Sequence, residues 1–184
     1  LHENDIDFLK KIVKIIKISS GDLTHHKLLE KAARTKLPII LSTGMASEKE
    51  IKEAVKILKK NHPKIISSGK LMLLHCVALY PTPKYEINLK NIEYLRKKFN
   101  LPIGFSDHTI GIKASTLAVG LGATVIEKHF TYRIEKQKFH DHKISADFKM
   151  MKNLVYEIRD IEIYLGAEKR KVSNEENLNK TYLR

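Results

Sequence analysis

The sequence contains little of what marks a secreted or membrane-bound protein. A single cysteine, Cys76, excludes an internal disulfide framework. The longest stretch of low polarity, ASTLAVGLGATVI at 114–126, is too short to span a bilayer. The first residues, LHENDIDFLKKI, have no apolar run behind a basic segment, so we expect no secretory signal there. These absences predict a cytoplasmic protein that does not contact a membrane.

The charge is strongly unbalanced, with a formal net charge of +13 and a pI near 9.7. A basic domain can indicate nucleic-acid binding. Here, however, the lysines are spread over helix-like segments such as SEKEIKEAVKILKK, where glutamates accompany them. The sequence has no basic patch interleaved with aromatics, no zinc-finger spacing and no glycine-rich RNA-binding motif. We therefore predict a lysine-rich solvated surface that favours anionic substrates, and no nucleic-acid partner.

Short apolar runs alternate with amphipathic segments along the chain. The predicted strands lie at 15–19, 38–43, 71–77, 101–106 and 124–130. The predicted helices lie at 5–12, 25–35, 47–62, 88–99, 112–123 and 146–166, and Ser47 with Glu50 forms a capping box at the start of the third. One helix followed by five βα units, with continuously apolar strands, predicts a parallel sheet covered on both faces.

Two α/β architectures fit this pattern, a doubly wound sheet and a (β/α)8 barrel. No GxGxxG fingerprint follows any strand, which weakens the dinucleotide-binding version. Polar residues end every strand (SSGD, STG, HCV, SDHT and EKHFT), and barrel enzymes place their chemistry at that end. A complete barrel has eight strands in about 250 residues. We therefore predict a TIM-type barrel that is incomplete, with about its last five βα units at 1–166, and a polar tail or linker at 167–184.

Two histidines follow strands one βα unit apart, His108 in SDHT and His129 in EKHFT. Neighbouring strands lie about 4.8 Å apart, so two imidazoles can converge on one divalent ion. The alternative is that both are ordinary histidines at strand ends. Side-chain alternation places Glu127 on the face of His129, where it can orient a water or pair with a lysine at the rim. The same alternation places Ser106 with His108.

The first two strands end in KISSGD and LSTGM, which suit an anion. A lysine (Lys17), hydroxyls (Ser20 and Ser42) and free N–H groups at helix starts are what a phosphate requires. Lys17 is also a candidate for a Schiff base, as in a class I aldolase. Asp22 either bonds a substrate hydroxyl or caps a helix that begins near Thr24.

Three further positions have less specific interpretations. His75 is either a further site residue or a core histidine with satisfied hydrogen bonds, and the second interpretation is favoured. Cys76 has the opposite parity and is predicted to be a small buried apolar side chain. His140 and His142 lie in an exposed loop, and such pairs usually bind no metal.

Taken together, six motifs resemble the sialic acid synthase family, which makes N-acetylneuraminate, legionaminate and pseudaminate. They are KISSGD, PIILSTGM, LLHCVALYPTP, GFSDHTIG, ATVIEKHFT and DHKIS, in this order, and the resemblance covers roughly 5–170. It implies a TIM barrel followed by a small antifreeze-like domain, in a domain-swapped homodimer. It also implies condensation of phosphoenolpyruvate with an open-chain N-acylated amino sugar, with a divalent metal, Mn²⁺ or Mg²⁺, as cofactor.

The resemblance also implies roles for particular residues. The metal ligands are His108 and His129. The groups that hold phosphoenolpyruvate are Lys17, Ser20, Ser42 and Ser106. The catalytic residues are Glu127, which lies beside the metal and the attacking water, and Asp22, which reaches the sugar. Tyr80 and Asp141 bind the sugar.

The count of strands leaves a second hypothesis open. The chain is then a truncated or split-gene fragment of such a synthase, inactive alone or active only beside a chain that supplies the remaining strands. A half-barrel exposes two sheet edges with unpaired backbone groups, so this hypothesis predicts oligomerisation or aggregation.

Overall fold

A computed structural model describes residues 2–135, 139 and 141–183. Its strands are β1 (Ile16–Ile18), β2 (Ile39–Ser42), β3 (Leu71–Cys76), β4 (Ile103–Asp107) and β5 (Ile126–Lys128). Its α-helices are α1 (Ile6–Ile12), α2 (His26–Arg34), α3 (Glu48–Asn61), α4 (Asn91–Phe99), α5 (Lys113–Gly120), α6 (Asp141–Ile144), α7 (Phe148–Leu165) and α8 (Asn174–Leu183). Short 3₁₀ turns cover Glu3–Asp5 and Ser20–Asp22.

The five strands form one parallel sheet in the order β1-β2-β3-β4-β5, each next to its neighbour along the chain. This order arises when every strand is followed by a crossover of the same hand, as in a barrel. The predicted α/β class and the five strands of a partial barrel are confirmed.

One face of the sheet packs against the helices and supplies most of the core. Ile18, Leu41, Leu73 and Ile103 are in register across β1 to β4, and each is at most 1% exposed. Phe105 is fully buried on the same face. The opposite face carries Lys17, Leu74, Ser106 and Glu127.

The sheet is strongly curved, with the polar face on the inside. Strands about 4.8 Å apart would place β1 and β5 roughly 19 Å from each other in a flat sheet. Instead the Nζ of Lys17 on β1 lies 3.1 Å from the Oε1 of Glu127 on β5. The two side chains meet across the concave face, which makes the sheet a half-barrel.

Several boundaries differ from the sequence prediction. The last strand was predicted at 124–130, but β5 covers only Ile126–Lys128, because it pairs with β4 alone among the described residues. After β5, the His129 carbonyl accepts a hydrogen bond from Ala146 N at 2.7 Å, which turns the chain toward α7. The predicted capping box is present, with Ser47 N donating to Glu50 Oε2 at 2.7 Å.

The chain after α7 runs without helix or strand to α8, which begins at Asn174. None of the α8 residues is buried. No helix in the described part of the chain is long and apolar enough to cross a membrane.

Candidate active site

His108 and His129 come together where β4 and β5 end. Each follows the last residue of its strand, and the ring centroids lie 5.4 Å apart at an angle of 67°. The strands are neighbours, so the predicted convergence of the two imidazoles is present in the structure. The two rings form the centre of a polar cluster on the concave face.

His108 is buried and held in one tautomer. Its Nδ1 lies 2.8 Å from the Val77 carbonyl oxygen, which can only accept, so Nδ1 carries the proton and Nε2 keeps a lone pair. Burial lowers the pKa of His108 below its ordinary value, the Val77 carbonyl opposes that shift, and His129 adds to it. The ring is therefore held neutral, which is the form that ligates metals.

His129 is more accessible, with 34% of its side chain exposed. Its Nδ1 lies 3.7 Å from Oδ2 of Asp141, the first residue of α6. A carboxylate on one ring nitrogen leaves the other directed elsewhere, an arrangement common behind metal-ligating histidines. The sequence placed Asp141 at a sugar hydroxyl, and the structure places it beside His129.

Glu127 and Lys17 form an ion pair on the concave face beside the histidines. The two side chains are 40% and 37% exposed. Only one carboxylate oxygen of Glu127 contacts Lys17, and Oε2 is buried with no hydrogen-bond partner among the described residues. A buried oxygen without a donor is rare in proteins, so this atom is a ready acceptor for a water or a substrate group.

A group of small polar residues lies at the ends of β1 to β4. The hydroxyl of Ser20 accepts a hydrogen bond from Gly44 N at 2.9 Å. A Cβ at Gly44 would lie 2.8 Å from that oxygen, so a side chain does not fit there. Ser42 is 2% exposed with no hydroxyl partner in the described residues, and Ser106 is 4% exposed. The predicted serines therefore line one recess, in which the Ser42 hydroxyl is a donor without a partner among the described residues.

Cys76 belongs to this recess, which the sequence prediction missed. It is in register with Ser106, and its thiol lies 3.9 Å from His108 Nδ1. Burial raises the pKa of the Cys76 thiol, and the nearby hydroxyls of Ser20 and Ser106 oppose the shift. Side-chain alternation already indicated that His75 and Cys76 lie on opposite faces of the sheet. The pairing of Cys76 with Ser106 shows that Cys76 lies on the concave face.

The loop after β3 covers the histidines. The ring of Tyr80 lies over His108, with centroids 4.1 Å apart, and its edge faces His129 at 6.0 Å. The N–H of Thr82 ties this loop to the end of β4 by donating to the His108 carbonyl at 3.0 Å, and the Thr82 hydroxyl donates within the loop to the Leu79 carbonyl at 2.8 Å. Tyr80 was predicted for the site, whereas Thr82 was not.

The remaining candidates have other environments. Asp22 accepts a hydrogen bond from Ser19 Oγ at 2.7 Å, and the N-cap position of α2 is His25, which makes no side-chain capping bond, so the alternative in which Asp22 caps this helix is wrong. His75 is buried against the helices and bonds the Ile87 carbonyl at 2.7 Å, which confirms the core interpretation. His142 Nδ1 lies 2.7 Å from the Thr131 hydroxyl. His140 lies outside the described residues.

The two histidines fit a divalent metal as a pair of ligands. His108 has a fixed tautomer with a free Nε2, and the unpartnered oxygen of Glu127 lies on the same face. Neutral imidazole suits zinc, iron and manganese-like ions. Residues 2–135, 139 and 141–183 hold no group of three or more histidine, cysteine or acidic side chains arranged for a metal. As a pair, His108 and His129 would supply two ligands to such an ion and leave its other positions for water or substrate.

Comparison with known proteins places this geometry in a family. The chain is 45% identical over 175 residues to the N,N'-diacetyllegionaminic acid synthase of Legionella pneumophila, covering 95% of this chain and 49% of the relative. It also matches a crystal structure of the N-acetylneuraminic acid synthetase of Leptospira borgpetersenii at 40% identity and a TM-score of 0.87, over 97% of this chain and 61% of that one.

A more distant match shows the fold alone. A phospho-2-dehydro-3-deoxyheptonate aldolase of Thermotoga maritima aligns with a TM-score of 0.77 at 24% identity, over 91% of this chain and 50% of that one. The chain thus spans about half the length of the proteins it matches. The model of the NeuB family matches residues 1–170, nearly the whole chain. The resemblance that the six motifs indicated is confirmed, and the chain belongs to the NeuB family.

Proposed function

We propose that the chain carries the metal-binding and phosphoenolpyruvate-binding part of a synthase that condenses phosphoenolpyruvate with an N-acylated amino sugar. The observation that carries the proposal is the convergence of His108 and His129 beside the Glu127–Lys17 pair. The printed names of the similar proteins, legionaminic acid synthase and N-acetylneuraminic acid synthetase, support the same class of product.

The acidic substrate is held by the recess at the ends of β1 to β4. Lys17 supplies a cation, and Ser20, Ser42 and Ser106 supply hydroxyl groups. The unused hydroxyl of Ser42 is buried and available as a donor to a phosphate or carboxylate oxygen. Donors fixed before the substrate arrives stabilise phosphate charge throughout the reaction, because they do not reorganise as that charge develops.

The reaction then joins two carbon atoms. C3 of phosphoenolpyruvate attacks the aldehyde carbon of the open-chain sugar, water adds at C2, and phosphate leaves from the tetrahedral intermediate. His108 and His129 would hold a divalent ion, whose chemistry at this site would be Lewis-acid polarisation of the sugar's carbonyl group. Glu127 Oε2 accepts a proton from the attacking water, since Oε1 is engaged by Lys17.

The sugar is bound at the more open side of the site. Tyr80 is 45% exposed and presents its ring beside the histidines, and Asp22 and Asp141 supply carboxylates at the rim. We propose that these residues contact the sugar, together with residues contributed from outside this chain. The family resemblance further supports a homodimer for the full-length protein.

Phosphate release tests the proposal. The protein that carries this chain is incubated with phosphoenolpyruvate, an N-acylated hexosamine and Mn²⁺. We expect His108→Ala and His129→Ala to abolish release, and His26→Ala, at an exposed position of α2, to leave it unchanged. Full turnover in His108→Ala would overturn the assignment of the site. The same assay on residues 1–184 alone decides whether the chain needs the remaining part of the barrel.

A further inference from the structure

A second ion pair lies directly behind the two histidines, on the face of the sheet that packs against the helices. Asp107 ends β4 and Lys128 ends β5, and Lys128 Nζ lies 3.2 Å from Asp107 Oδ2. The two side chains are 0% and 1% exposed. Such full burial of a charged pair is uncommon, and neither residue contacts the concave face where the substrates are proposed to bind.

Both oxygens of the Asp107 carboxylate accept hydrogen bonds, and the Lys128 ammonium has two acceptors. Asp107 Oδ1 accepts from the Thr109 N–H and from the Thr109 hydroxyl, both at 2.7 Å. Asp107 Oδ2 accepts from the Ser115 hydroxyl at 2.6 Å, in addition to Lys128. Lys128 also donates to the Thr109 carbonyl. Every bond has a fixed direction, so the network holds β4, β5 and α5 in one arrangement.

The position of the pair in the sheet matters as much as its chemistry. Asp107 and Lys128 are direct partners in the register of β4 and β5, and they are the last pair of a ladder with only three pairs. The next residue on each strand is a histidine of the site. With three pairs, few backbone contacts fix the register of β5 on β4, and the final pair lies immediately before the two histidines.

We propose that the Asp107–Lys128 pair is a positioning device that sets the separation and orientation of His108 and His129. The inference rests on the proposed function, because it concerns the same two ligands. Buried ion pairs add little stability compared with apolar side chains of the same volume, and a role in fixing register is their best-attested use. An apolar pair would fill this space but would tolerate a shift of β5 along β4.

Metal affinity tests the inference in the protein that carries this chain. Lys128→Met removes the charge and keeps most of the volume. We expect it to weaken Mn²⁺ binding, measured from the free-ion electron paramagnetic resonance signal, by about 10- to 100-fold. Ser115→Ala is the milder variant, since it removes one hydrogen bond and leaves both charges, and we expect a smaller loss in the same direction.

A matched control separates positioning from general destabilisation. Leu58→Ala empties a fully buried site on α3, outside the two-histidine cluster. Its melting temperature falls as in the other variants, and its Mn²⁺ affinity stays near the wild-type value. If Lys128→Met and Ser115→Ala bind Mn²⁺ no more weakly than Leu58→Ala, the inference is wrong while the proposed function stands.

A crystal structure of Lys128→Met tests the positioning role without a measurement of metal binding. If the wild-type protein binds no Mn²⁺, the proposed function fails, and the ring positions then decide the inference alone. A displacement of the two rings by about 1 Å, which is enough to disable a designed site, supports the positioning role. Rings that keep their 5.4 Å separation overturn it.

Discussion

Glu127 and Lys128 are neighbours on β5, and each forms an ion pair with a residue on another strand. Glu127 meets Lys17 at 3.1 Å and Lys128 meets Asp107 at 3.2 Å. The first pair is more than a third exposed and leaves one carboxylate oxygen without a partner among the described residues, whereas the second is buried and both its carboxylate oxygens accept hydrogen bonds. The two contacts are equally long, so it is the difference in burial and in unused acceptors that assigns them different proposed roles.

The largest effect on stability is expected from breaking the buried pair. Lys128→Met leaves the Asp107 carboxylate buried without its cation, which lowers the free energy of unfolding by about 3–5 kcal/mol. Urea denaturation measures the change. Arg159→Ala, which breaks the exposed Arg159–Glu162 pair of α7, is the control and is expected to change it by less than about 1 kcal/mol. Equal losses in the two variants would remove the distinction between buried and exposed pairs.

A smaller effect is expected inside the loop after β3. Thr82→Val keeps the shape of the side chain and the backbone bond to His108, but it removes the hydroxyl donor of the Leu79 carbonyl. The free energy of unfolding falls by about 0.5–1.5 kcal/mol, and turnover falls because the loop that carries Tyr80 loses an internal hydrogen bond. Thr116→Val, at a hydroxyl near the surface of α5, is the matched control. An unchanged KM and kcat in Thr82→Val would show that the loop holds Tyr80 by other means.

The pH dependence of the free energy of unfolding tests His75, which lies on the face of the sheet that packs against the helices. Burial lowers the pKa of His75 in the folded state, with the Ile87 carbonyl opposing the shift, so the unfolded chain binds the proton more readily. The free energy of unfolding therefore falls as pH drops below about 6.5, by up to about 1.4 kcal/mol per pH unit from this residue. His75→Gln should flatten the slope measured by denaturation between pH 7 and the folded-state pKa. A slope as steep as in the wild type would assign the effect to other histidines.

The smallest change in stability is expected at the open pair. Lys17→Met removes an ion pair that solvent screens, so the free energy of unfolding changes by about 0–1 kcal/mol. Phosphate release from phosphoenolpyruvate is nevertheless expected to be lost, because the cation of the recess is gone. A loss of stability as large as in Lys128→Met, with turnover retained, would reverse the roles of the two pairs.

Sequence reasoning captured what depends on periodicity. Alternation along GFSDHT and VIEKHF placed Ser106 with His108 and Glu127 with His129, and the structure has these faces. The spacing of apolar runs gave the five strands in order. These features follow from backbone geometry alone, and they do not depend on which side chains meet.

The parts that sequence reasoning missed depend on irregular backbone and on curvature. The Val77 carbonyl fixes the tautomer of His108, and a backbone carbonyl carries no sequence signal. Thr82 acts through a loop that has no period, and Asp141 reaches His129 only because α6 returns beside β5. The Lys17–Glu127 contact requires the bend of the whole sheet, which no single segment determines.

That contact couples the shape of the fold to the state of the site. Lys17 lies on the first and Glu127 on the last of the five strands, so their ion pair spans the concave side of the curved sheet. A slight flattening of the sheet would increase the distance between β1 and β5 and separate the Glu127 carboxylate from the Lys17 ammonium group. Substitutions among the helices on the convex side can therefore change the Lys17–Glu127 distance by changing the curvature of the sheet, without contacting either residue.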